Sequence, residues 1–342
     1  MSEGTLSEAA TPSPVDAHSA EVYARPGRWL RRRNLALLLA GLCFLPPALN
    51  DYQQFVANTM LVYCLVAVGF NIVLGYLGQL AFANAAFFGI GAYATGLSMA
   101  HWGLPFPIAM LLGAMAGAAG GVIVALPALR VRGYYLAIVT LAFTELMRWT
   151  YVHADRVTFG ATGFNLPPAT LFGVGLTSET AKFYVFLGVV ALGVGATAQL
   201  LRSRFGRAFV ALRNNEMAAA ALGISVARTN VIAFAWSGLI VGLAGALYAV
   251  LNGRLTPDTF GLPQMLIHFA IVMFGGLGSL TGSIIGALAL TAAPELLRNL
   301  PGLEEIAFSL LLIVVLLFMP NGIGGWIATR IPALREPLHG GG

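Results

Sequence analysis

Charged residues are scarce in this chain of 342 residues, where 14 acidic and 19 basic side chains make up 10% of the total and hydrophobic residues make up 58%. A soluble domain does not keep so few charges at this length. The composition therefore excludes a soluble globular protein. It predicts an all-α, polytopic membrane protein embedded in a lipid bilayer.

Lysine is almost absent, and the single lysine, Lys182, is not preceded by the glycine of the pattern G-x-x-x-x-G-K-[ST]. The chain therefore contains no phosphate-binding P-loop. The patterns G-x-S-x-G and H-E-x-x-H are missing as well, which argues against the corresponding hydrolases and zinc proteases. Glu145 is an acid within a predicted span without a second acid beside it. We therefore expect no catalytic residues and no enzymatic activity in this chain.

Cysteine is also rare, and both cysteines, Cys43 and Cys64, fall inside predicted spans. Neither a disulfide framework nor a metal site is expected there. The net charge is +5, but the basic residues mark the edges of apolar segments and do not form one continuous patch, so nucleic acid is not implied as a partner. We expect this chain to hold no metal and no cofactor.

Apolar windows of about 20 residues recur along the chain. They predict ten transmembrane helices, at 34–50, 54–74, 80–100, 105–126, 133–152, 183–201, 229–251, 264–279, 281–297 and 303–319. Residues 1–27 lack an apolar stripe and are expected to form a disordered tail. The transmembrane domain then covers residues 28–325, and residues 326–342 form a second tail.

Arginine and lysine are distributed unevenly over the two sides that these spans define. Fourteen lie on the side of both termini and the loop 202–228, four lie on the opposite side, and Arg148 falls within a span. Because short cytoplasmic loops retain basic residues, this asymmetry predicts that both termini and the loop 202–228 are cytoplasmic. The loop 153–182 is then external.

The loop 202–228 reads RSRFGRAFVALRNNEMAAAALGISVAR. Its segment EMAAAAL consists of good helix formers and is followed by Gly223, which predicts a short helix from Glu216 to Leu222. From FGRAF onward the loop resembles the coupling loop of ABC importer permeases, in the version found in the branched-chain amino acid permease family. One departure is Ala220, where the family often has a second glutamate.

This resemblance implies that a cytoplasmic ATPase subunit docks on the short helix. The residues assigned to coupling are Arg213, Glu216, Ala218, Ala219 and Gly223. We expect the small side chain of Ala219 to fit closely into a groove of the ATPase. The alternative interpretation of the loop is a plain cytoplasmic connector.

A second stretch, GYLGQLAFANAAFFGIGAYATG, combines five glycines with the amides Gln79 and Asn84. Irregular backbone at membrane depth is tolerated only where it is buried in protein or lines a cavity. The stretch matches the family pattern G-x-x-G-Q-x-[ST]-x-[GA]-[HNQ], except that Ala81 lies near the place of a small polar residue. Gln79 and Asn84 are therefore candidates for the translocation path, and a tight helix crossing is the alternative.

A partial repeat of this stretch occurs 200 residues later, in FGGLGSLTGSIIGA. The corresponding residues are Gly75, Leu77, Gly78 and Leu80 and then Gly275, Leu277, Gly278 and Leu280. Paired segments interrupted by glycine point to a transport site between repeats. This later segment resembles the family pattern F-G-G-x-G-S-x-x-G-x-x-x-G. Glycines at a spacing of four predict close helix packing; they are Gly113, Gly117, Gly121, Gly278, Gly282 and Gly286.

The fifth predicted span places Glu145 and Arg148 three residues apart on one helical face. An acid within a span is a functional candidate. Glu145 and its neighbour Thr144 are therefore candidates for the translocation path. The alternative for Glu145 is a structural ion pair. We expect His268 to be a packing residue. The outer segment RVTFGATGFNLPP resembles the family pattern T-G-G-x-x-G-[LF], with Phe159 in place of a glycine, and could form a gate, a docking loop or an inert turn.

The resemblance as a whole covers most of residues 55–325 and implies the membrane-spanning permease subunit of an ATP-driven importer in a bacterial inner membrane. Its cargo would be leucine, isoleucine and valine or related small molecules. The implied partners are a homologous second permease chain, two ATPase subunits that bind ATP and Mg²⁺, and an extracytoplasmic substrate-binding protein. An ion-coupled secondary transporter is the alternative.

Overall fold

The computed structural model describes residues 49–131, 133–171 and 174–297. Within these ranges the chain is α-helical apart from two small sheets. The predicted tails 1–27 and 326–342 and the predicted span 303–319 lie outside the described residues, as does nearly all of the predicted span 34–50.

The helices of the described residues follow one another in a simple order. They are α1 (Asp51–Asn71, continued by a π-helix over Ile72–Tyr76), α2 (Asn84–Trp102), α3 (Phe106–Ala128), α4 (Tyr134–His153), α5 (Asp155–Thr158), α6 (Glu179–Arg202), α7 (Arg204–Asn214), α8 (Glu216–Ala221), α9 (Val226–Asn252), α10 (Leu262–Gly275) and α11 (Leu280–Leu297). Two 3₁₀ turns cover Gly160–Thr162 and Pro257–Phe260. Eight of these helices coincide with the predicted spans between residues 54 and 297.

Four helical segments are long and apolar enough to cross a membrane, namely Asp51–Tyr76, Phe106–Ala128, Glu179–Arg202 and Val226–Asn252. The helices α10 and α11 are apolar but shorter. The described residues therefore form a polytopic membrane protein with at least four candidate spans. The total of ten spans and the location of the termini stay predictions.

Helix α9 lies at the centre of the bundle, where it packs against α1, α2 and α3. A Cβ atom added to Gly117 would overlap the carbonyl of Gly238, and one added to Gly121 would overlap the carbonyl of Phe234. A Cβ on Gly113 would overlap the Thr95 hydroxyl of α2. Small residues spaced by four let helix backbones approach closely in lipid, and this contact of α3 with α9 and α2 is why α3 carries three such glycines.

Helices α10 and α11 form a second glycine contact. A Cβ on Gly282 would overlap the carbonyl of Gly275, and one on Gly286 would meet the carbonyl of Ile271. The sequence spacing had grouped Gly278 with these two glycines as helix-packing residues. The structure corrects that grouping, because Gly278 precedes α11 and lies in a turn with a φ angle of 77°.

The two ends of the bundle differ. At one end, here called the linker end, α7 and α8 connect α6 to α9. At the opposite end, the loop end, the strand β1 (Phe164–Asn165) pairs antiparallel with β4 (Arg254–Leu255), and β2 (Thr170–Leu171) pairs with β3 (Val174–Gly175). The β1–β4 pairing attaches the segment between α4 and α6 to the end of α9.

Candidate functional site

Two glycine-containing junctions meet at the linker end. The first junction, residues 75–78, lies at the end of the π-helix that continues α1, and the second junction, residues 275–279, connects α10 to α11. Gly78 and Gly278 have φ angles of 75° and 77°, a left-handed conformation that favours glycine. A Cβ on Gly75 would overlap the backbone nitrogen of Gly278. The two partly similar sequence segments thus form two turns that are in direct contact.

Asn71 fixes the end of α1 to the second junction. Its side-chain Nδ2 donates to the carbonyls of Gly276 at 3.3 Å and Ser279 at 2.9 Å, and to the hydroxyl of Ser283 at 2.6 Å. Its Oδ1 accepts from the N–H of Gly278 at 2.8 Å. The side chain is buried, so these bonds satisfy an amide that would otherwise be costly in the interior.

Arg213, in the last turn of α7, contacts both junctions. Its Nη1 donates to the carbonyl of Gly75 at 2.8 Å. Its methylene groups lie against Gly78, where an added Cβ would be 2.7 Å from the Arg213 Cγ, and a Cβ on Gly278 would be 2.8 Å from its Nη1. A side chain at either glycine would therefore displace this arginine. Arg213 links the helices of the linker end to the junctions that end α1 and α10.

The two linker helices have defined ends. Helix α7 begins after Ser203, whose hydroxyl accepts from the backbone N–H of Phe205 at 3.1 Å. Helix α8 begins after Asn215, whose Oδ1 accepts from the N–H of Ala218 at 3.0 Å. Such caps satisfy N–H groups that a helix start leaves unpaired. The predicted short helix is present one residue shorter, at Glu216–Ala221, and Gly223 follows it with a φ angle of 86°.

The exposed face of α8 is not the one that its small residues suggested. Ala219 is only 3% exposed and packs inward, so it is not available to fit into a groove of another subunit. Ala218 is exposed, and the large apolar side chains of Met217 and Leu222 are 80% and 84% exposed. The pattern of alanines could not reveal this orientation, because it depends on how α8 packs against α7 and α9.

The two amides of the predicted path lie in different places. Asn84 is buried, and its Nδ2 lies 3.0 Å from Nδ1 of His268. The second ring nitrogen of His268 lies 2.9 Å from Nε2 of Gln264, which also donates to the Tyr63 hydroxyl at 3.0 Å. Because a neutral imidazole accepts at only one ring nitrogen, only one of these two amide nitrogens can donate a hydrogen bond to His268. Gln79 lies at the linker end instead, beside a cavity that Glu216 also lines.

Thr144 and Glu145 are adjacent in sequence but face different surroundings. Thr144 is buried, and its hydroxyl donates to the carbonyl of Phe82 at 2.9 Å. Thr140, one turn earlier, accepts from the N–H of Phe82 at 2.7 Å. These two threonines thereby satisfy the backbone N–H and carbonyl of Phe82, in the non-helical segment between α1 and α2. Sequence reasoning missed Thr140, although its spacing of four from Thr144 was visible.

Glu145 forms the predicted ion pair with Arg148. The Arg148 Nε donates to Oε2 of Glu145 at 2.8 Å, and Nη1 reaches Asp258 at 3.3 Å. The side chains of Glu145 and Arg148 are 40% and 39% exposed, so this cluster is not deeply buried. Asp258 supplies the second acid that the local sequence lacked, because the turn Pro257–Phe260 packs against α4.

At the loop end, Phe159 has a φ angle of 63°, a conformation that is rare for residues other than glycine. The family pattern has glycine at this position, and the structure shows the backbone that such a glycine would fit. The ring of Phe159 lies 5.0 Å from that of Phe164 and 5.4 Å from that of His101, between ring centroids. These contacts hold the residue in a left-handed turn.

Residues 53–320 match the family model described as branched-chain amino acid transport system / permease component. The chain belongs to this family. The permease is 32% identical to the high-affinity branched-chain amino acid transport system permease protein LivM of Salmonella typhimurium over 292 residues, which cover 78% of the permease and 69% of LivM. It is 28% identical to LivH of Escherichia coli (77% and 91% covered) and to BraD of Pseudomonas aeruginosa (82% and 97%). No solved structure was found to match it.

Family membership establishes the class of protein. The chain is a multi-pass membrane permease, the permease component of a branched-chain amino acid ABC transport system. ATP is hydrolysed by the separate ATPase subunits of that system, so this chain is a non-catalytic membrane subunit. Similarity to LivM and LivH indicates that it works within such an ABC transporter complex.

Proposed function

We propose that the linker end of the permease receives movement from an ATPase subunit and passes it to the two junctions through Arg213. The observation that carries this proposal is the position of Arg213, which belongs to the linker helices and donates a hydrogen bond to Gly75 in the first junction. The same side chain lies against Gly278 in the second junction. A displacement of α7 would therefore act on the ends of both α1 and α10.

The docking surface in this proposal is the exposed face of α8. Met217 and Leu222 are large apolar side chains that it presents, and methionine is one of the residue types enriched at protein interfaces. Ala218 lies between them on the exposed surface. Glu216 is the first residue of this helix, and Gly223 follows its end. Arg213 connects the helix to the two junctions.

The linker end is cytoplasmic in this proposal, since it carries the arginines of the 202–228 loop. ATP-driven import then moves leucine, isoleucine or valine from the loop end toward the linker end. The loop end, with Glu145, Arg148 and Asp258 partly exposed, receives the substrate-binding protein. Two ATPase subunits bind at the linker end, on the cytoplasmic side of a bacterial inner membrane.

A second permease chain completes the complex. Escherichia coli strain K12 has both LivM and LivH, two different chains that are each similar to this one. The described part of the chain also presents a broad apolar face on α3 and α4, which includes Leu111, Met115, Tyr134 and Ile138. Part of this face meets lipid, and the remainder contacts the sister chain.

The translocation path contains Gln79, Asn84, Thr144 and Glu145. The hydrogen bond from Thr144 to Phe82 places α4 beside the segment that joins Gln79 to Asn84. This segment is non-helical from residue 77 to residue 83, and irregular backbone is expected at membrane depth only where it is buried in protein or lines a passage. Movement of the first junction would shift this segment directly.

Substitution of Met217 by glutamate tests the docking surface. A carboxylate would have to be desolvated in an apolar pocket, which costs several kcal/mol unless it is paired. We expect at least a tenfold loss of ATPase binding, measured by co-purification at graded ATPase concentrations. The matched control is Val157→Glu, an exposed apolar position in α5, between α4 and the loop-end strand β1.

Unchanged binding and unchanged ATP-driven uptake for Met217→Glu would remove α8 from the docking surface. Uptake that follows an ion gradient and needs no ATP would instead favour a secondary transporter. The contact of Arg213 with the two junctions leads us to expect neither unchanged ATPase binding nor uptake without ATP.

A further inference from the structure

A cavity of about 210 Å³ lies at the linker end, between the first junction, α8 and the start of α9. Its polar lining comes from Gln79, Glu216 and Asn230, and Leu129 and Val226 belong to its apolar lining. This volume has room for several water molecules, or for one small amino acid instead.

Two amides at this cavity have unused hydrogen-bonding capacity. Asn230 is 2% exposed, and its Oδ1 is buried without a hydrogen-bond partner in the part of the chain that the structure describes. The same holds for Oε1 of Gln79. Buried polar atoms are almost always paired in folded proteins. Both amides line the cavity, and both oxygens are buried and unpaired, so rotation of either amide toward a bound molecule would give its oxygen a partner.

The side chains suit an α-amino acid with an apolar side chain. An amide can both donate to a carboxylate and accept from an ammonium group. Glu216, which lines the same cavity, adds a negative charge that favours an ammonium group. The apolar wall at Leu129 and Val226 can contact an aliphatic side chain.

We propose that this cavity is a binding site for an apolar α-amino acid on the side where import ends. The site rests on the proposed function, which makes the linker end cytoplasmic. Since Glu216 is the first residue of α8, an amino acid bound there would contact the docking helix. Amino acid that accumulates inside would thereby slow further import.

The test uses the complete transporter in liposomes, with ATP inside and the loaded binding protein outside. Initial uptake of radiolabelled leucine is measured while unlabelled leucine is preloaded inside at increasing concentration. We expect preloaded leucine to inhibit the original protein. Replacement of Asn230 by leucine removes a partner of a charged group and should raise the half-inhibiting concentration by at least about tenfold.

Two further variants keep the test decisive. Asn252→Leu is the matched control, because Asn252 is exposed at the opposite end of α9. Its side-chain hydrogen bond among the described residues stays within its own helix, to the Tyr248 carbonyl. It should respond to internal leucine like the original protein. Ala227→Phe narrows the cavity from an exposed position without removing a buried contact, and it should also weaken the inhibition.

The outcomes separate the proposals. Equal inhibition of the original protein, Asn230→Leu and Ala227→Phe, or no inhibition of any of them, would overturn the site. Complete absence of ATP-driven uptake by the original transporter would count against the proposed function instead. Uptake into vesicles without internal leucine identifies the source of the ligand. An unchanged uptake rate for Asn230→Leu supports a site that is filled from inside the vesicle. A reduced uptake rate supports a site that the amino acid occupies as it leaves the permease during import.

Discussion

At the residue scale, glycine has two separate roles in this permease. In helices it permits contact between backbones, as Gly117 does against Gly238. In the junctions it permits a left-handed backbone, as at Gly78 and Gly278. The sequence indicated the first role through spacing. It did not separate Gly278 from the packing glycines, because a spacing of four does not show where a helix begins.

Replacement of Gly117 by alanine tests the packing role. The added Cβ would overlap the carbonyl of Gly238, so α3 and α9 must move apart, and overpacking of this kind costs about 1 to 3 kcal/mol. We expect a lower thermal unfolding temperature in detergent and less assembled protein.

Gly188→Ala is the control for this substitution, because no neighbouring element in the described part of the chain comes within 4 Å of a Cβ at that position of α6. It should leave the unfolding temperature unchanged or raise it slightly, since alanine favours a helix by about 1 kcal/mol over glycine. If both substitutions gave the same unfolding temperature, close packing of α3 on α9 would be refuted.

At the element scale, the sequence predicted more about individual helices than about their contacts. Eight of the described helices match predicted spans within a few residues, because long apolar runs and glycine ends are local signals. The network of Asn71 with the second junction was missed, since its partners lie more than 200 residues away. The inward orientation of Ala219 was missed because it depends on how α8 packs against α7 and α9.

Cysteine labelling tests the predicted orientation of these elements. Single cysteines at Asn214 and Asn165, in a background without Cys43 and Cys64, should react with a membrane-impermeant reagent from opposite sides of sealed vesicles. The reason is that Asn214 belongs to the arginine-rich linker end, which the distribution of basic residues places in the cytoplasm. Asn165 lies at the loop end. Reaction of both from the same side would contradict the orientation.

At the scale of the whole molecule, the site combines segments that are distant in sequence. The resemblance of three segments to one family predicted the class of transporter, which the comparisons confirmed. It did not predict that Arg213 would contact both junctions, since this depends on how α7 packs against the π-helix that continues α1. The ion pair of Glu145 with Arg148 was visible from their spacing, but Asp258 joined it only through tertiary packing.

The central claim is that Arg213 connects the docking helix to the junctions, and the number of leucine molecules imported per ATP hydrolysed tests it most directly. Replacement of Arg213 by alanine removes a charged hydrogen bond worth about 1.5 to 3 kcal/mol. In a fully assembled complex, we predict continued ATP hydrolysis with at least a tenfold lower ratio of uptake to hydrolysis. Arg207→Ala, at an exposed position of the same helix, should keep the original ratio. An unchanged ratio for Arg213→Ala would contradict the account.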